Sequence, residues 1–343
     1  MPGMVDRVVI LFFENHTLDN VASEIKGVNG DAALPVIKLA KPPHDYVVPD
    51  IPHNHVDWEN RATGAKKQRF TRAQLPNLMA LMDQYCICDN YFTDYAGNSF
   101  PNHCFAIGAD AEWAYTNPTG AYKPVIQAAG VPKQLNAAGK TWANYGGFAF
   151  AHYADPLMQA NAKQPADFLT DAAKGALPNV SWVYGPSHHD FHPGSGTSMS
   201  ASDTWMAQAV QAVATGAQWG TCMIFITFDD WGGWFDHVAS PDLEQFPAGT
   251  QYPGTQYRYG PRVPCIVVGP YAKPKHVSSQ LGSHTSLVAF VRQLWNLAPS
   301  DNADARRRVA ADLALGDTYN LAQTPNPKPV LPKLAGVGAA GSH

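Results

Sequence analysis

The chain is poor in charge and lacks the features that mark several protein classes. Only 15% of its 343 residues are Asp, Glu, Lys or Arg, and these sum to a formal −4. Without a basic excess there is no field to hold nucleic acid or an anionic surface nonspecifically, so nucleic acid is not expected as a partner. The five cysteines, Cys86, Cys88, Cys104, Cys222 and Cys265, are odd in number and show neither zinc-knuckle nor CxxC spacing. That argues against a disulfide framework and for buried reduced thiols. No apolar stretch is long enough to span a bilayer, so no integral membrane segment is expected. The start shows no basic n-region followed by an apolar h-region and a small-residue cleavage site. On the chain as given the expected location is the cytoplasm, or a secreted or periplasmic one if a leader preceded it.

What is present is 45% hydrophobic residues, enough for a sizeable core. Short apolar runs without polar alternation, at 8–13, 86–92, 180–184, 223–228 and 263–268, read as strands buried on both faces. Helical patterns at 75–83, 101–107, 155–162, 201–214 and 283–297 alternate with them. The expected fold is therefore α/β, a mostly parallel central sheet flanked by helices on both faces. Residues 1–298 are expected to form the main domain, with insertions near 25–67 and 240–261 of a length that usually overlies a site. Residues 299–343 read as a C-terminal helix and an extended, Pro-rich tail.

Chemistry gathers at the ends of the apolar runs. The first run ends in Glu14-Asn15, and the fourth ends in Asp229-Asp230 before Gly232-Gly233 breaks the pattern. Open parallel sheets collect ligands at their carboxyl edge, so two strand exits with two adjacent oxygen donors each are placed to converge on one divalent cation. A third segment, from Asp89 to His103, reads as a strand, a Gly-bearing turn and a helix start. Pro101 suits the first helical turn, where its missing N–H costs nothing. Ser99 then falls at the helix cap, where free N–H groups and the helix dipole favour an anion. A serine there is most often only an N-cap; the two acidic pairs at comparable strand exits are what raise the functional reading.

These segments also carry a resemblance. Phe13-Glu14-Asn15-His16-Thr17-Leu18-Asp19-Asn20 resembles the ENxxFD signature of the bacterial phosphoesterase family, which contains phospholipases C and a group of acid phosphatases within the alkaline phosphatase superfamily. Cys88-Asp89-Asn90-Tyr91-Phe92 and Gly97-Asn98-Ser99-Phe100-Pro101-Asn102 are similar to its CDNYF and GPTxPNR segments. Val180-Ser181-Trp182, His192-Pro193, Asp229 through Val238, Arg262-Val263-Pro264 and His284-Thr285-Ser286 follow in the same order as later blocks. The resemblance implies an alkaline-phosphatase-like fold and a metal-dependent phosphoesterase, acid phosphatase-like or phospholipase C-like, passing through a phosphoserine. It implies that Glu14, Asn15, Asp229 and Asp230 bind one metal and that Ser99 is both ligand and nucleophile. Five oxygen donors point to a hard or borderline ion, Mg²⁺, Ca²⁺ or Mn²⁺ before Zn²⁺.

Where two-metal members of the superfamily hold a second cation by a D-x-x-x-H pair and a distal histidine, the comparable positions are His188, His192 and His284. Loss of that Asp removes the second metal's anchor. His188 and His192, with His53 or His55 from the insertion, are then expected to contact phosphate oxygens and supply the leaving-group proton. The sequence does not choose between His53 and His55, nor between His188 and His189. His55, His284, Asn102 and Trp231 are the expected substrate-binding residues.

The chain departs from the family pattern at Ser99 for the usual Thr, His103 for the usual Arg, Asp230 for Glu and Trp231 for His. The expected substrate is a small phosphate ester or a phospholipid head group. A sulfatase-like ester hydrolase is an alternative, because Ser99 precedes x-P, but the following Arg is missing. A non-catalytic α/β binding protein with a structural ion is another, and Ser99 discriminates against it, since a structural ion needs no hydroxyl beside the carboxylates.

Overall fold

The computed structural model describes residues 4–39, 45, 50–194, 196–311 and 315–334. In chain order its strands are β1 (Arg7–Phe13), β2 (Cys86–Cys88), β3 (Tyr91–Phe92), β4 (Trp142–Tyr145), β5 (Ala162–Lys163), β6 (Val180–Tyr184), β7 (Cys222–Phe228), β8 (Glu244–Gln245), β9 (Gln256–Arg258), β10 (Cys265–Val268), β11 (His276–Ser278) and β12 (Gly282–Ser283). Eight of them form one sheet in the order β11-β2-β10-β7-β1-β6-β4-β5. Every neighbouring pair is parallel except those made by β10, which runs against both β7 and β2. The expected α/β fold with a mostly parallel sheet is the one observed.

The pleat of β1 shows how both faces are covered. Phe12 meets the rings of His103 and His284, while Phe13 meets Trp205. Successive side chains on a strand point to opposite faces, so one residue step moves from one helical layer to the other. On the Phe12 face the Ser99–Gly108 helix packs with the His284–Trp295 helix, which in turn packs with Ala303–Ala311. On the Phe13 face Met199–Thr215 packs with Pro76–Gln84 and Pro165–Ala173. Both phenylalanines are fully buried, which is worth roughly 1.5–3 kcal/mol for each.

Three expectations are corrected. The run 86–92 is not one strand: after β2 the turn at Asp89 and Asn90 redirects the chain, and β3 pairs instead with β12 in a two-stranded sheet. Asp89 fixes that turn by accepting from Asn29 N and Ser279 Oγ. The pattern at 155–162 gives only a 3-10 turn at Pro156–Gln159, because it buries a single apolar side chain, Met158, and Ala162 already opens β5. In the last run Val263 and Pro264 precede the strand, which begins at Cys265, since proline has no N–H for the ladder.

Within the C-terminal segment, Ala303–Ala311 is helical, and the described part of the tail is tied to the domain by Tyr85 Oη to Pro327 O at 2.8 Å and Asn326 Nδ2 to Gly269 O at 2.9 Å. The rest of the tail, at 335–343, and parts of the 25–67 insertion lie outside the described residues. All five cysteines are buried and unpaired by disulfide. Among the described residues no helix is long and apolar enough to cross a membrane.

Candidate active site

β1 and β7 are adjacent and parallel, in register from Arg7 opposite Cys222 to Phe13 opposite Phe228. Their exits therefore lie side by side, and the backbone locks them together: Asp229 N donates to Phe13 O at 2.8 Å, and Asn15 N donates to Asp229 Oδ1 at 2.9 Å. Asn15 takes a left-handed φ of 66°, and Gly232 one of 56°. A Cβ on Gly232 would lie 2.4 Å from Asn15 O, so this second turn requires glycine.

The serine arrives from the third segment. The helix starts at Ser99, two residues earlier than the Pro101 start the sequence suggests, with Asn98 as the cap. Pro101 is tolerated because the first turn's N–H groups have no intrahelical acceptor in any case. Ser99 Oγ donates to Asp230 Oδ2 at 3.0 Å and stands 3.5 Å from Glu14 Oε2. Asn102 holds the preceding turn, accepting from Tyr95 N at 2.8 Å and donating to Asn98 O at 3.3 Å. Asn117 Oδ1 accepts from Phe100 N at 2.7 Å.

Glu14, Asn15, Ser99, Asp229 and Asp230 are thus brought together, and the histidines divide into two groups. His53 and His192 flank Asn15, their Nε2 atoms 3.2 and 3.3 Å from its carboxamide nitrogen. In each, Nδ1 donates to a backbone carbonyl at 2.6 Å, Ile51 O for His53 and Pro193 O for His192, which leaves Nε2 facing the cluster. His55 is elsewhere, buried, with its two ring nitrogens on Ala96 O and Thr255 Oγ1. His284 is buried behind the site, donating to Asp229 O at 2.8 Å and paired with Tyr91 Oη at 3.1 Å. It supports the Asp229 backbone rather than facing a substrate. His188 is exposed, with a left-handed φ of 66°, and the chain turns back below it so that Asp190 O accepts from Glu14 N at 2.9 Å. Trp231 is buried, donates to His53 O at 2.8 Å and packs edge-on against Trp58, so it positions His53. Asn102 and Trp231 act as supports for Ser99 and His53, not as open contacts.

His103 belongs to the cluster, although the sequence reading gives it only as a departure from the usual Arg and not as a site residue. Its Nε2 is 3.3 Å from Asp229 Oδ2 and 3.5 Å from Glu14 Oε1. The signal that finds it is its spacing of four residues from Ser99, which puts both on one helical face. Burial alone would lower its pKa, but the hydrogen bonds to Asp229 and Glu14 outweigh that and hold it up at about 9. Burial likewise raises Glu14, helped by the charge of Asp229, and raises Asp230 well above the usual range. Asp229 resists the penalty of burial through His103 and the Asn15 amide, and stays at about 2. Burial pulls His192 down, but the charge of Glu14 and the Pro193 carbonyl raise it.

Asp229 and Asp230 are fully buried and the Glu14 side chain is 17% exposed, so at this spacing their charge must be balanced by His103, by protons or by a cation. The Asn15 carboxamide makes the same point. With its nitrogen turned inwards it reaches Glu14 Oε2 at 3.0 Å and Asp229 Oδ1 at 3.1 Å. With its oxygen there, three oxygens converge at that spacing, which suits a bound cation. The donor set therefore fits a divalent metal ion.

Comparison with known proteins gives the family. The Phosphoesterase family model matches residues 5–298, and the chain belongs to that family. It is similar to the non-hemolytic phospholipase C of Pseudomonas aeruginosa, at 27% identity over 96% of this chain and 59% of that protein. It is also similar to phospholipase C B of Mycobacterium tuberculosis, at 28% identity over 75% of this chain and 57% of that protein. The chain thus covers less than two thirds of the length of these relatives. A solved structure of a protein in the alkaline phosphatase superfamily from Vibrio parahaemolyticus is similar with a TM-score of 0.45 at 11% identity, covering 86% of this chain and 67% of that one.

Proposed function

We propose that this protein is a metal-dependent hydrolase of phosphate esters that passes through a phosphoserine on Ser99. The observation that carries the reading is the hydroxyl itself: Ser99 Oγ opens a helix and lies 3.0 Å from one carboxylate and 3.5 Å from another, each on a different strand exit. The two relatives' names support phosphoester chemistry and bring in a phospholipid head group as one candidate substrate, beside small phosphate monoesters.

Glu14, Asn15, Asp229, Asp230 and Ser99 would hold the cation. When bound, it would lower the pKa of the Ser99 hydroxyl and offset charge on the phosphoryl oxygens. Ser99 Oγ is aligned to pass its proton to Asp230 Oδ2 and attack phosphorus. The new Oγ–P bond forms as the bond from phosphorus to the substrate alcohol breaks. His53 and His192, with Nε2 turned to the cluster, are the groups positioned to bind phosphoryl oxygens and protonate the departing alcohol. Water then cleaves the phosphoserine, giving one proton to the histidine that protonated the alcohol, while Asp230 returns its proton to Ser99 Oγ. The fixed Nδ1 hydrogen bonds mean that neither ring has to reorient between these steps.

The test is hydrolysis of a nitrophenyl phosphomonoester, the matching phosphodiester and phosphatidylcholine by the wild type and by Ser99→Ala, with and without a chelator. Turnover of at least one substrate is expected to fall by about 10³-fold or more in the variant, in line with loss of a covalent nucleophile, and to fall reversibly on chelation. Full activity in Ser99→Ala would overturn the phosphoserine. A sulfate ester cleaved faster than every phosphate would overturn the substrate class.

A further inference from the structure

Glu14 and Asp229 each present their two oxygens to two different neighbours. Glu14 Oε2 faces Ser99 Oγ, and Asp229 Oδ1 accepts from the Asn15 and Asp230 amides. The remaining oxygens, Glu14 Oε1 and Asp229 Oδ2, both face His103 Nε2, at 3.5 and 3.3 Å. The three atoms lie within 4.8 Å of one another. Without an ion a protonated Nε2 shares its hydrogen between the two carboxylates at separations longer than the ~2.7–2.9 Å of a charge-assisted hydrogen bond, and an ion bound there would take that proton's place. The separations match donors sharing one ion: tetrahedral N and O ligands at about 2.0–2.1 Å sit roughly 3.3 Å apart.

The ring is fixed for that task by packing. His103 is fully buried, stacked on Tyr184 with centroids 5.2 Å apart and 10° between planes, and closed in by Phe12 and Phe148. Among the described residues Nδ1 has no hydrogen-bond partner, so Nε2 is the only ring atom with polar company, and that company is two carboxylates.

From this geometry we infer that His103 supplies a nitrogen ligand to the cation of the site, so that the protein prefers Zn²⁺ and other imidazole-binding ions over Mg²⁺ and Ca²⁺. The inference rests on the metal-dependent reading above and deepens it. The oxygen donors alone favour a hard ion, whereas imidazole favours zinc, nickel and copper. One buried imidazole in the set moves the preference from the first group towards the second.

The experiment reads binding, not turnover. Metal-stripped wild type, His103→Arg and His103→Gln are titrated with Zn²⁺, Co²⁺, Mg²⁺ and Ca²⁺, following melting temperature and the visible absorption of bound Co²⁺. Arginine keeps a positive charge and hydrogen bonds to both carboxylates but offers no lone pair. Wild type should bind Zn²⁺ at least 100-fold more tightly than Mg²⁺ or Ca²⁺. Both variants should lose about 10-fold or more of the Zn²⁺ affinity and shift the Co²⁺ bands, and His103→Gln, which adds no charge, should keep the Ca²⁺ affinity. Should a His103 variant fail to fold, Cu²⁺ electron spin-echo envelope modulation decides the point: an imidazole signal present in the wild type should survive His53→Gln and His192→Gln. An unchanged metal order in His103→Arg, or loss of the imidazole signal in those two variants, would overturn the ligand role while leaving a metal-dependent hydrolase intact. Failure of the wild type to bind any of these ions would overturn both.

Discussion

Asn15 shows how much chemistry one residue carries. Its left-handed backbone turns the chain at the end of β1, its N–H caps Asp229, and its carboxamide lies between two imidazoles and two carboxylates. Asn tolerates that backbone conformation better than most residues. The imidazoles on either side divide by partner: His53 lies 3.8 Å from Asp230 Oδ2, while His192 is raised mainly against its own burial by Glu14. Both are expected to protonate leaving alcohols. In His53→Ala and His192→Ala, kcat for an alkyl phosphate should fall by about 10²-fold or more, the range of general acid catalysis, with a much smaller loss for a nitrophenyl ester that needs no proton. Equal losses on the two substrates would mean that these residues only position phosphate. His53 and His55 differ by two positions in the sequence, yet one reaches the cluster and the other is enclosed by Tyr95, Phe246 and Tyr252. No local pattern separates them, because the choice is made by the path of the insertion.

At the scale of elements, the sheet's centre was legible and its margins were not. Strands β1, β6 and β7 are buried on both faces and so read as unbroken apolar runs. The strand β4 is only four residues, Trp142-Ala143-Asn144-Tyr145, and holds a polar Asn; β5 is two exposed residues at the sheet's edge, and β11 is short and half-buried. Edge positions do not demand apolar runs, which hides β5 and β11, and β4, inside the sheet, is too short and too interrupted by Asn144 to read as one. The same logic explains the site: Glu14, Asp229 and Ser99 follow recognisable element ends, whereas His103 is hidden inside a helix pattern that its packing alone would explain.

One element-scale contact has a pH dependence of known sign. The Pro76–Gln84 helix has no side-chain cap of its own; Asp203, from the Met199–Thr215 helix, accepts from Asn77 N at 3.1 Å and Leu78 N at 2.8 Å instead. Burial raises Asp203 to about 6 from 3.8, against the two amide hydrogen bonds. The folded state therefore holds this proton more tightly than the unfolded chain does. The stability linked to it is complete below about pH 4 and is lost as the pH rises through about 6. The displacement corresponds to roughly 3 kcal/mol. The stability of wild type relative to Asp203→Asn, from urea unfolding, should accordingly fall by that order between pH 4 and pH 7. A difference independent of pH would remove Asp203 as the titrating group.

For the whole molecule, the sheet edge does the assembling. Three segments, 85 and 131 residues apart along the chain, deliver Glu14, Ser99 and Asp230 to one spot because β1 and β7 pair in register and the Ser99–Gly108 helix packs across their Phe12 face. The first insertion adds His53 to that spot, while Thr255 from the second holds His55 at 2.8 Å, away from it. The described tail is pinned to the domain by Tyr85 Oη on Pro327 O and by Val330 N on Gln84 Oε1, contacts to which its composition gives no clue. The most direct test of the central claim is to mix metal-loaded enzyme with a nitrophenyl phosphate, quench it in acid within one turnover, and map phosphate on the digested peptides. The account predicts one phosphorylated peptide, modified at Ser99, that forms before steady state and disappears as substrate is exhausted. Burst-free release of phosphate with Ser99 unmodified, at a rate that survives Ser99→Ala, would contradict it.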